Sequence, residues 1–270
     1  ASKLIDQIVL ATSDDPKNVP LADYVRSLGY EVYQGSENDV LERFVFAAQQ
    51  FAGDIIIRIT GDCPLIDPQL VDEAIHKFKT GDVDYLCNTN PPTFPDGLDI
   101  EVFTFAALQR AHDETHTPSD REHVTPYIRE SGHFSTLNVT SDQDFSNLRW
   151  TVDEVQDLEV VRFVVEHFAP NRLFSWKDVL RIYETYSVEL NKNSAIARNE
   201  GAAMGTGQKL WKRAKAVIPG GNMLLSKRAE MFLPDQWPAY FSKSKGCKVW
   251  DLDGNEYTDM SIMGIGTNIL

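Results

Sequence analysis

The sequence predicts an α/β domain with a mainly parallel sheet and helices on both faces, followed by a small α+β segment. Short apolar runs alternate with amphipathic segments through residues 1–200, as is typical of strands joined by crossover helices. A Gly- and Ala-rich stretch at 201–208 indicates a linker. Residues 209–270 then contain a strand, turn and strand pattern around Asp253. We therefore expect one large domain and a fragment of a second.

The apolar runs are predicted strands, and the amphipathic segments are predicted helices. The strands span residues 7–11, 31–34, 54–59, 84–88, 99–104, 135–139 and 148–152. The helices span residues 19–28, 39–51, 68–78, 105–114, 121–130, 156–168 and 176–186. Ser36 and Asp67 mark two helix starts, the second strengthened by Pro68. Ligands of such sheets bind beyond the carboxyl ends of the strands, so the polar residues there are the first candidates for a site.

Composition excludes several classes of function. The chain has 270 residues with a formal net charge of -14, which disfavours nucleic acid and anionic membranes because both need clustered Lys and Arg. Cys63, Cys87 and Cys247 form no CxxC pair, so no disulfide framework or zinc knuckle is predicted. No apolar run approaches the roughly 18 residues of a membrane span, and no signal peptide opens the chain. We expect a cytoplasmic protein without nucleic-acid or membrane partners, and a homodimer is compatible with these features.

An acidic residue comes shortly after one of the apolar predicted strands. The segment 57–68 delivers Gly61, which permits close backbone approach, and then Asp62, a hard oxygen ligand suited to Mg²⁺. The alternative interpretation is an ordinary strand-to-helix turn with a capping Asp. A second acidic cluster, 153–159, also follows a predicted strand and opens a helix. Its alternative is that Asp and Glu simply favour the first turn of a helix.

Together these segments resemble the cytidylyltransferases of the spore-coat polysaccharide type, relatives of the enzymes that activate keto-deoxy sugar acids and sialic acids with CTP. The resemblance runs from about Lys3 to about Gly201 and implies a nucleotide-diphospho-sugar transferase-like, Rossmann-like fold. Such enzymes open with a strand and a loop rich in Gly, Arg and Ser that wraps the triphosphate. We expect that first strand and loop to be missing from this sequence. The motifs that carry the resemblance are residues 8–15, 35–44, 58–66, 95–102, 121–128 and 148–154.

The resemblance implies a reaction and a set of site residues. A sugar-acid oxygen would attack the α-phosphorus of CTP, with pyrophosphate leaving, and Asp62 and Asp153 would hold the catalytic Mg²⁺. The resemblance places the nucleotide near Gly35, Ser36, Asp39 and Arg58. The sugar side is assigned to Asp96, Gly97, Asp99, Glu101, Arg121 and His123.

Two of the sugar-side assignments have structural alternatives. Arg121 can pair bidentately with a substrate carboxylate or phosphate, or it can form an i,i+3 or i,i+4 surface pair on its own helix. His123 can donate a hydrogen bond to a substrate oxygen, or it can be a satisfied structural residue. The sequence leaves both pairs of alternatives open.

The last part of the chain resembles a different enzyme. Residues 214–221, 238–241 and 246–259 are similar to the opening of the glutamate-1-semialdehyde aminomutase group of pyridoxal-phosphate aminotransferases. The lysine that bears the cofactor in that family lies beyond Leu270, and roughly 60 residues cannot bury the core of such an enzyme. We therefore expect pyridoxal phosphate only in a full-length parent, not on this chain.

Three classes of function remain from the sequence. The first is the CTP-dependent, Mg²⁺-dependent cytidylyltransferase acting on an acidic sugar for surface polysaccharide or glycan synthesis. The second is a pyridoxal-phosphate aminotransferase with a non-catalytic nucleotide-binding front domain. The third is a nucleotide-sugar glycosyltransferase, which an Asp-x-Asp pair after a strand would favour, but the segment Asp62-Cys63-Pro64 supplies none.

Overall fold

The computed structural model divides the chain into two compact units, Ala1–Ala195 and Ile196–Leu270. It describes residues 2–196, 198, 205–221, 228 and 239–259. No helix in the described ranges combines the length and the apolar character needed to cross a membrane.

The first unit contains two groups of strands. β1 (Val9–Ser13) and β2 (Glu31–Gly35) pair in parallel. The second group has the order β3-β5-β4-β6. Its strands are β3 (Ile55–Arg58), β4 (Tyr85–Cys87), β5 (Glu101–Thr104) and β6 (Thr136–Asn138).

Within the second group, β5 is the reversed strand. It runs antiparallel to β3 and to β4, whereas β6 is parallel to β4, so β3, β4 and β6 share one direction. The reversal follows from the connection, because residues 88–100 contain no helix that could form the crossover needed for a parallel return. The predicted α/β class is confirmed, with one strand reversed in its mainly parallel sheet.

Helices occupy most of the predicted positions. They are α1 (Val19–Ser27), α2 (Val40–Gln50), α3 (Pro68–Gly81), α4 (Phe105–Glu114), α5 (Pro118–His123), α6 (Pro126–Glu130), α7 (Val155–Phe168), α8 (Trp176–Tyr183) and α9 (Ser187–Leu190). Asp67 caps α3 as predicted, by accepting a hydrogen bond from the Gln69 amide at 2.7 Å. At α2 the cap is Asp39 rather than Ser36, since Asp39 Oδ1 accepts from the Glu42 amide at 2.9 Å.

Three element predictions need correction. The predicted helix 121–130 is two helices, because Pro118 and Pro126 each occupy the first turn of a separate helix. The predicted helix 176–186 ends at Tyr183 and is followed by the short helix α9. The predicted strand 148–152 forms only an isolated bridge between Arg149 and Asp96.

The core lies on both faces of the sheet, which confirms the predicted placement of helices. Leu86 and Val102 belong to a cluster with α3, α7 and α8 on one face. Their neighbours Tyr85 and Phe103 belong to a cluster with α2, α4 and α6 on the other. This alternation is the period of two expected of strands that are covered on both sides.

The second unit is small. Its described part consists of α10 (Thr206–Val217) and an antiparallel meander of β7 (Phe241–Lys245), β8 (Lys248–Asp251) and β9 (Glu256–Thr258). The predicted hairpin at residues 253–255 is therefore confirmed. Of the predicted linker, residues 201–204 lie outside the described residues and 206–208 belong to α10.

Candidate active site

The loop after β3 contacts the segment that precedes α7. The carbonyl oxygen of Asp62 accepts hydrogen bonds from the Val152 amide at 2.9 Å and from Thr151 Oγ1 at 3.1 Å. Asp153 is the next residue, and its side chain is 54% exposed. The structure thus brings the two predicted metal carboxylates onto adjacent, hydrogen-bonded segments. Their sharing of one ion stays a prediction.

A buried arginine organises the second of these segments. Arg149 Nη2 donates to Asp153 Oδ2 at 2.7 Å, and Nη1 donates to Asp96 Oδ2 at 2.9 Å. Nε and Nη2 also contact the two oxygens of Asp157, each at 2.9 Å. Arg149 is 7% exposed and Asp157 is fully buried. The planar guanidinium suits such a site, because it presents several donors in a fixed arrangement.

The electrostatics of this cluster favour a cation. Three carboxylates face one guanidinium, so the formal charge of the group is -2. Burial alone raises the pKa of Asp157, but hydrogen bonds from Arg149, the Asp153 amide and Asn193 lower that pKa to about 2. Burial likewise lowers the pKa of Arg149, and its bonds to Asp157 and Asp153 outweigh that effect and raise it. The carboxylate Asp157 and the guanidinium are therefore charged at neutral pH.

Sequence reasoning missed Arg149, Asp157 and Asn193. Asp157 was interpreted only as an acid in the first turn of a helix, and it does accept hydrogen bonds from the amides of Asp153 and Glu154. A signal for Arg149 existed, because a charged residue between Leu148 and Trp150 interrupts an otherwise apolar run. No signal in the sequence connects Asn193 with this cluster.

Gly97 allows the loop of residues 95–98 to approach the backbone of Trp150 and Thr151 closely. Its φ is +100°, and a Cβ at this position would lie 2.5 Å from the Thr151 amide nitrogen. The adjacent Asp96 exchanges backbone hydrogen bonds with Leu148 and Trp150. Asp96 and Gly97 were predicted to contact the sugar. The structure shows that both also fix the segment that carries Asp153, and their role toward the sugar stays a prediction.

Cys63 lies beside Asp62. Its sulfur is 3.2 Å from Thr60 Oγ1 and 3.5 Å from Asp62 Oδ1. Burial and, to a smaller extent, the charges of Asp62 and Asp99 raise the pKa of the thiol, the Thr60 contact lowers it in part, and the net pKa is about 12. The thiol therefore stays protonated at neutral pH and is unsuited to act as a nucleophile. Because the charge of Asp99 acts on the Cys63 thiol, Asp99, a predicted sugar contact, lies near the loop of Asp62.

Arg58 and Glu101 contact each other across β3 and β5. Arg58 Nη1 donates to Glu101 Oε2, while Tyr85 Oη and Thr125 Oγ1 each donate to Glu101 Oε1 at 2.6 Å. Both partners are largely buried, with side chains 19% and 9% exposed. Arg58 was predicted to bind the nucleotide and Glu101 the sugar. Both Glu101 oxygens accept hydrogen bonds inside the fold, so the pair with Arg58 has a structural role. The contacts of Glu101 with the sugar and of Arg58 with the nucleotide stay predictions.

The predicted nucleotide loop is held in one conformation. Ser36 Oγ accepts from the Asp39 amide at 3.0 Å, and Arg43 Nη1 donates to the Ser36 carbonyl at 2.8 Å. A Cβ at Gly35 would lie 2.9 Å from the Tyr33 ring, so a side chain there needs the ring to move. Gly35, Ser36 and Asp39 thus form one fixed turn at the start of α2. Their contact with nucleotide stays a prediction.

Arg121 joins this loop to α5. Its Nη1 lies 3.3 Å from Asp39 Oδ2, and its Nη2 donates to the His112 carbonyl at 2.9 Å. The alternative of an i,i+3 or i,i+4 pair on its own helix is therefore wrong. The structure brings together a residue predicted to bind nucleotide and one predicted to bind sugar.

His123 sits at a tight turn between α5 and α6. Val124 has φ +72° and ψ -53°, and the Thr125 amide donates to the His123 carbonyl at 2.9 Å. This is a γ-turn with positive φ, which costs on the order of 1–3 kcal/mol for a non-glycine residue. His123 is half-buried, and its contact with the sugar stays a prediction.

The described residues hold no group of three or more His, Cys, Asp or Glu side chains arranged to bind a metal ion. A cation at Asp62 and Asp153 would therefore take its other ligands from water or substrate. Mg²⁺ commonly binds in this way, through one or two carboxylates plus waters and phosphate oxygens.

Ligands of open α/β sheets bind beyond the carboxyl ends of the strands, and the loop of Asp62 lies there after β3, so the fold makes this edge the candidate ligand site of an α/β protein. The cytidylyltransferase family model matches residues 1–169, and the chain belongs to this family.

Several known proteins are similar to the front unit. An uncharacterised protein of Methanocaldococcus jannaschii is 35% identical over 170 residues, which cover 62% of this chain and 69% of that protein. The spore coat polysaccharide biosynthesis protein SpsF of Bacillus subtilis is 30% identical over 163 residues, covering 58% of this chain and 66% of SpsF. A solved cytidylyltransferase from Leptospira borgpetersenii superimposes with a TM-score of 0.68 at 29% identity, covering 71% of this chain and 81% of that one.

The second unit has a different relative. A glutamate-1-semialdehyde 2,1-aminomutase of Methylacidiphilum infernorum is 42% identical over 52 residues, which cover 19% of this chain and 12% of that enzyme. The predicted fusion of two enzyme sequences is thereby supported.

Proposed function

We propose that the front unit transfers CMP from CTP to an acidic sugar and depends on Mg²⁺. The observation that carries this proposal is that the segments of Asp62 and Asp153 are hydrogen-bonded to each other, and that Asp153 belongs to a cluster with formal charge -2. Membership in the cytidylyltransferase family supports the transferred group. The similarity to a spore coat polysaccharide protein supports a place in surface polysaccharide or glycan synthesis.

In this proposal a sugar-acid oxygen forms a bond to the α-phosphorus of CTP. The bond from that phosphorus to the bridging oxygen breaks, and pyrophosphate leaves. Asp62 and Asp153 would hold Mg²⁺, which when bound neutralises charge on the transferring group. The fixed turn of Gly35, Ser36 and Asp39 would lie along the nucleotide.

Arg121 is the proposed contact for the sugar carboxylate. Its position is restrained because Asp39 and the His112 carbonyl hold two of its nitrogens. A prearranged guanidinium loses little freedom when it binds a carboxylate, which favours this role. Asp96, Gly97, Asp99 and His123 are proposed to line the same sugar site.

A second candidate function concerns the other unit. The match to an aminomutase favours a pyridoxal-phosphate aminotransferase in a longer protein, with the front unit as a nucleotide-binding module. The matched 52 residues cover 12% of that enzyme, so this chain is not proposed to bind the cofactor itself.

The test measures CTP binding and pyrophosphate release with Mg²⁺ and a panel of 3-deoxy keto sugar acids. Asp62→Asn and Asp153→Asn are expected to lower the release rate by at least about 10²-fold, because each removes a carboxylate proposed to hold the Mg²⁺ that neutralises charge in the transition state. Asp142→Asn, on an exposed bend, is the matched control and should leave the rate unchanged. Nucleotide binding without turnover of any acid would favour the binding-module alternative.

A further inference from the structure

Asn193 lies outside the segment matched by the family model, yet it contacts the proposed metal region. The matched segment ends at residue 169, whereas Asn193 follows α9. Its side chain is buried, with 1% of the residue exposed. Nδ2 donates to the Arg149 carbonyl at 2.9 Å and to Asp157 Oδ1 at 2.8 Å. The amide therefore uses both of its hydrogens on the Arg149 cluster.

A continuous set of hydrogen bonds leads from Asn193 to Asp153. Asn193 holds Asp157, Asp157 receives two bonds from the Arg149 guanidinium, and Arg149 Nη2 donates to Asp153 Oδ2 at 2.7 Å. Asp157 Oδ2 also accepts from the Asp153 amide at 3.0 Å, so the backbone of Asp153 is held as well. Except for Asp153 the members are almost completely buried.

Asp153 is the exposed end of this network. Its Oδ2 is held by Arg149, while Oδ1 accepts no hydrogen bond from the described residues. A carboxylate with one oxygen held and the other available is suited to bind a cation in a fixed direction. Groups that orient a metal ligand in this way typically change metal affinity or activity by about 10–100-fold when they are removed.

We propose that Asn193 is a positioning residue that acts through Asp157 and Arg149 to orient Asp153 toward the divalent cation. The inference rests on the proposed function, because it takes Asp153 as a metal carboxylate. It assigns part of the active site to the segment between α9 and the second unit, which the family model does not cover.

The experiment measures Mn²⁺ binding to the full chain by electron paramagnetic resonance in the presence of CTP. Asn193→Ala is expected to weaken Mn²⁺ binding on the order of 10-fold, since it removes both hydrogen bonds to the cluster. Asn193→Ser retains one donor and should give a smaller loss. Asn191→Ala is the matched control, because Asn191 lies two positions away and accepts from Tyr183 Oη at 3.0 Å instead.

Thermal melting of each variant separates positioning from simple stabilisation. A folded Asn193→Ala protein with unchanged Mn²⁺ affinity and a lower Tm would overturn the proposal, leaving Asn193 a structural residue. If the Ala variant does not fold, the Ser variant decides by the same criterion.

Asp62→Asn and Asp153→Asn in the same assay distinguish failure of the positioning role of Asn193 from failure of the proposed metal site. If both abolish Mn²⁺ binding and the Asn193 variants do not alter it, only the positioning role fails. If neither changes binding, the shared metal site fails, and the positioning role fails with it.

Discussion

At the scale of single residues, Gly97 shows how closely two site segments approach. Its φ of +100° is unfavourable for other residues, and a Cβ would lie 2.5 Å from the Thr151 nitrogen and 2.6 Å from the Trp150 carbonyl carbon. Both contacts are with backbone, which cannot move aside as a side chain end can. Two independent features therefore require glycine at this position: the positive φ and the lack of space for a Cβ.

Gly97→Ala is accordingly expected to destabilise the front unit by more than the roughly 1–3 kcal/mol of backbone strain alone. The measurement is urea unfolding followed by the tryptophan signal. Gly132→Ala is the control, because Gly132 also has positive φ, at 76°, but nothing lies within 4 Å of its added Cβ. Equal losses in the two variants would show that the close approach to Thr151 does not matter.

The Asp157 carboxylate predicts a pH dependence. Its pKa is lowered from 3.8 to about 2, so its contribution to stability is present above about pH 4 and is lost as the pH falls toward about 2. At about 1.4 kcal/mol for each pKa unit, the contribution is on the order of 2 kcal/mol. The difference in unfolding free energy between the natural chain and Asp157→Asn should be constant above pH 4 and narrow below it. A difference that stays constant down to pH 2.5 would contradict the assignment.

At the residue level, the sequence points to the two segments that carry Asp62 and Asp153, but it does not indicate the buried hydrogen bonds of Arg149. The loops of Asp62 and Asp153 were expected to cooperate, and the structure joins them through hydrogen bonds. The Arg149 cluster includes a hydrogen bond between Arg149 and Asp96, which lie 53 positions apart, so no local pattern reveals it. The motif also does not reveal the internal contacts of Glu101, whose two oxygens accept hydrogen bonds from three residues inside the fold.

At the scale of elements, the pair of Arg58 and Glu101 links β3 to β5 and, through Thr125, to the turn before α6. The apolar run 54–59 predicted a strand here, and the observed strand lies within one residue of those bounds. The direction of the strands was harder to predict from the sequence, because the reversal of β5 depends on the absence of a crossover helix in residues 88–100. The missing helix is visible in the sequence only as a stretch rich in Pro, Thr and Asn.

Glu101→Ala is expected to destabilise the front unit by roughly 3–5 kcal/mol, because it leaves the Arg58 charge largely buried without its partner. The matched control is Glu159→Ala, which removes an exposed ion pair with Lys192 at 2.9 Å and should cost about 0–1 kcal/mol. Denaturant unfolding of both variants gives the comparison. Similar small losses would mean that the pair of Arg58 and Glu101 behaves as a surface pair.

At the scale of the whole chain, the two units differ in how much core they have. The front unit has two clusters, one on each face of its sheet. In the described part of the second unit, the buried apolar cluster consists of Trp211 and Ala214, with Ala239 and Tyr240 packed against it. Strands β7 and β9 are exposed along their whole lengths. A sheet with so little covered surface is marginal by itself.

The whole-chain prediction is that resistance to proteolysis ends near the boundary between the units, after Ala195. Limited proteolysis of the full chain should leave a fragment of about residues 1–195 and degrade the remainder, because exposed strands with little core open readily.

A protein truncated after Ala195 should have a Tm close to that of the full chain. A protein truncated after Tyr186 should melt lower by about 5–15 °C, since it loses the fully buried Leu190 and the contacts of Asn193. The two truncations differ by nine residues, so the comparison tests whether the segment from α9 to Ala195 belongs to the front unit. A protease-resistant C-terminal fragment that melts cooperatively would show instead that the second unit is an independent domain, and equal melting of the two truncations would place Asn193 outside the front unit's cooperative core.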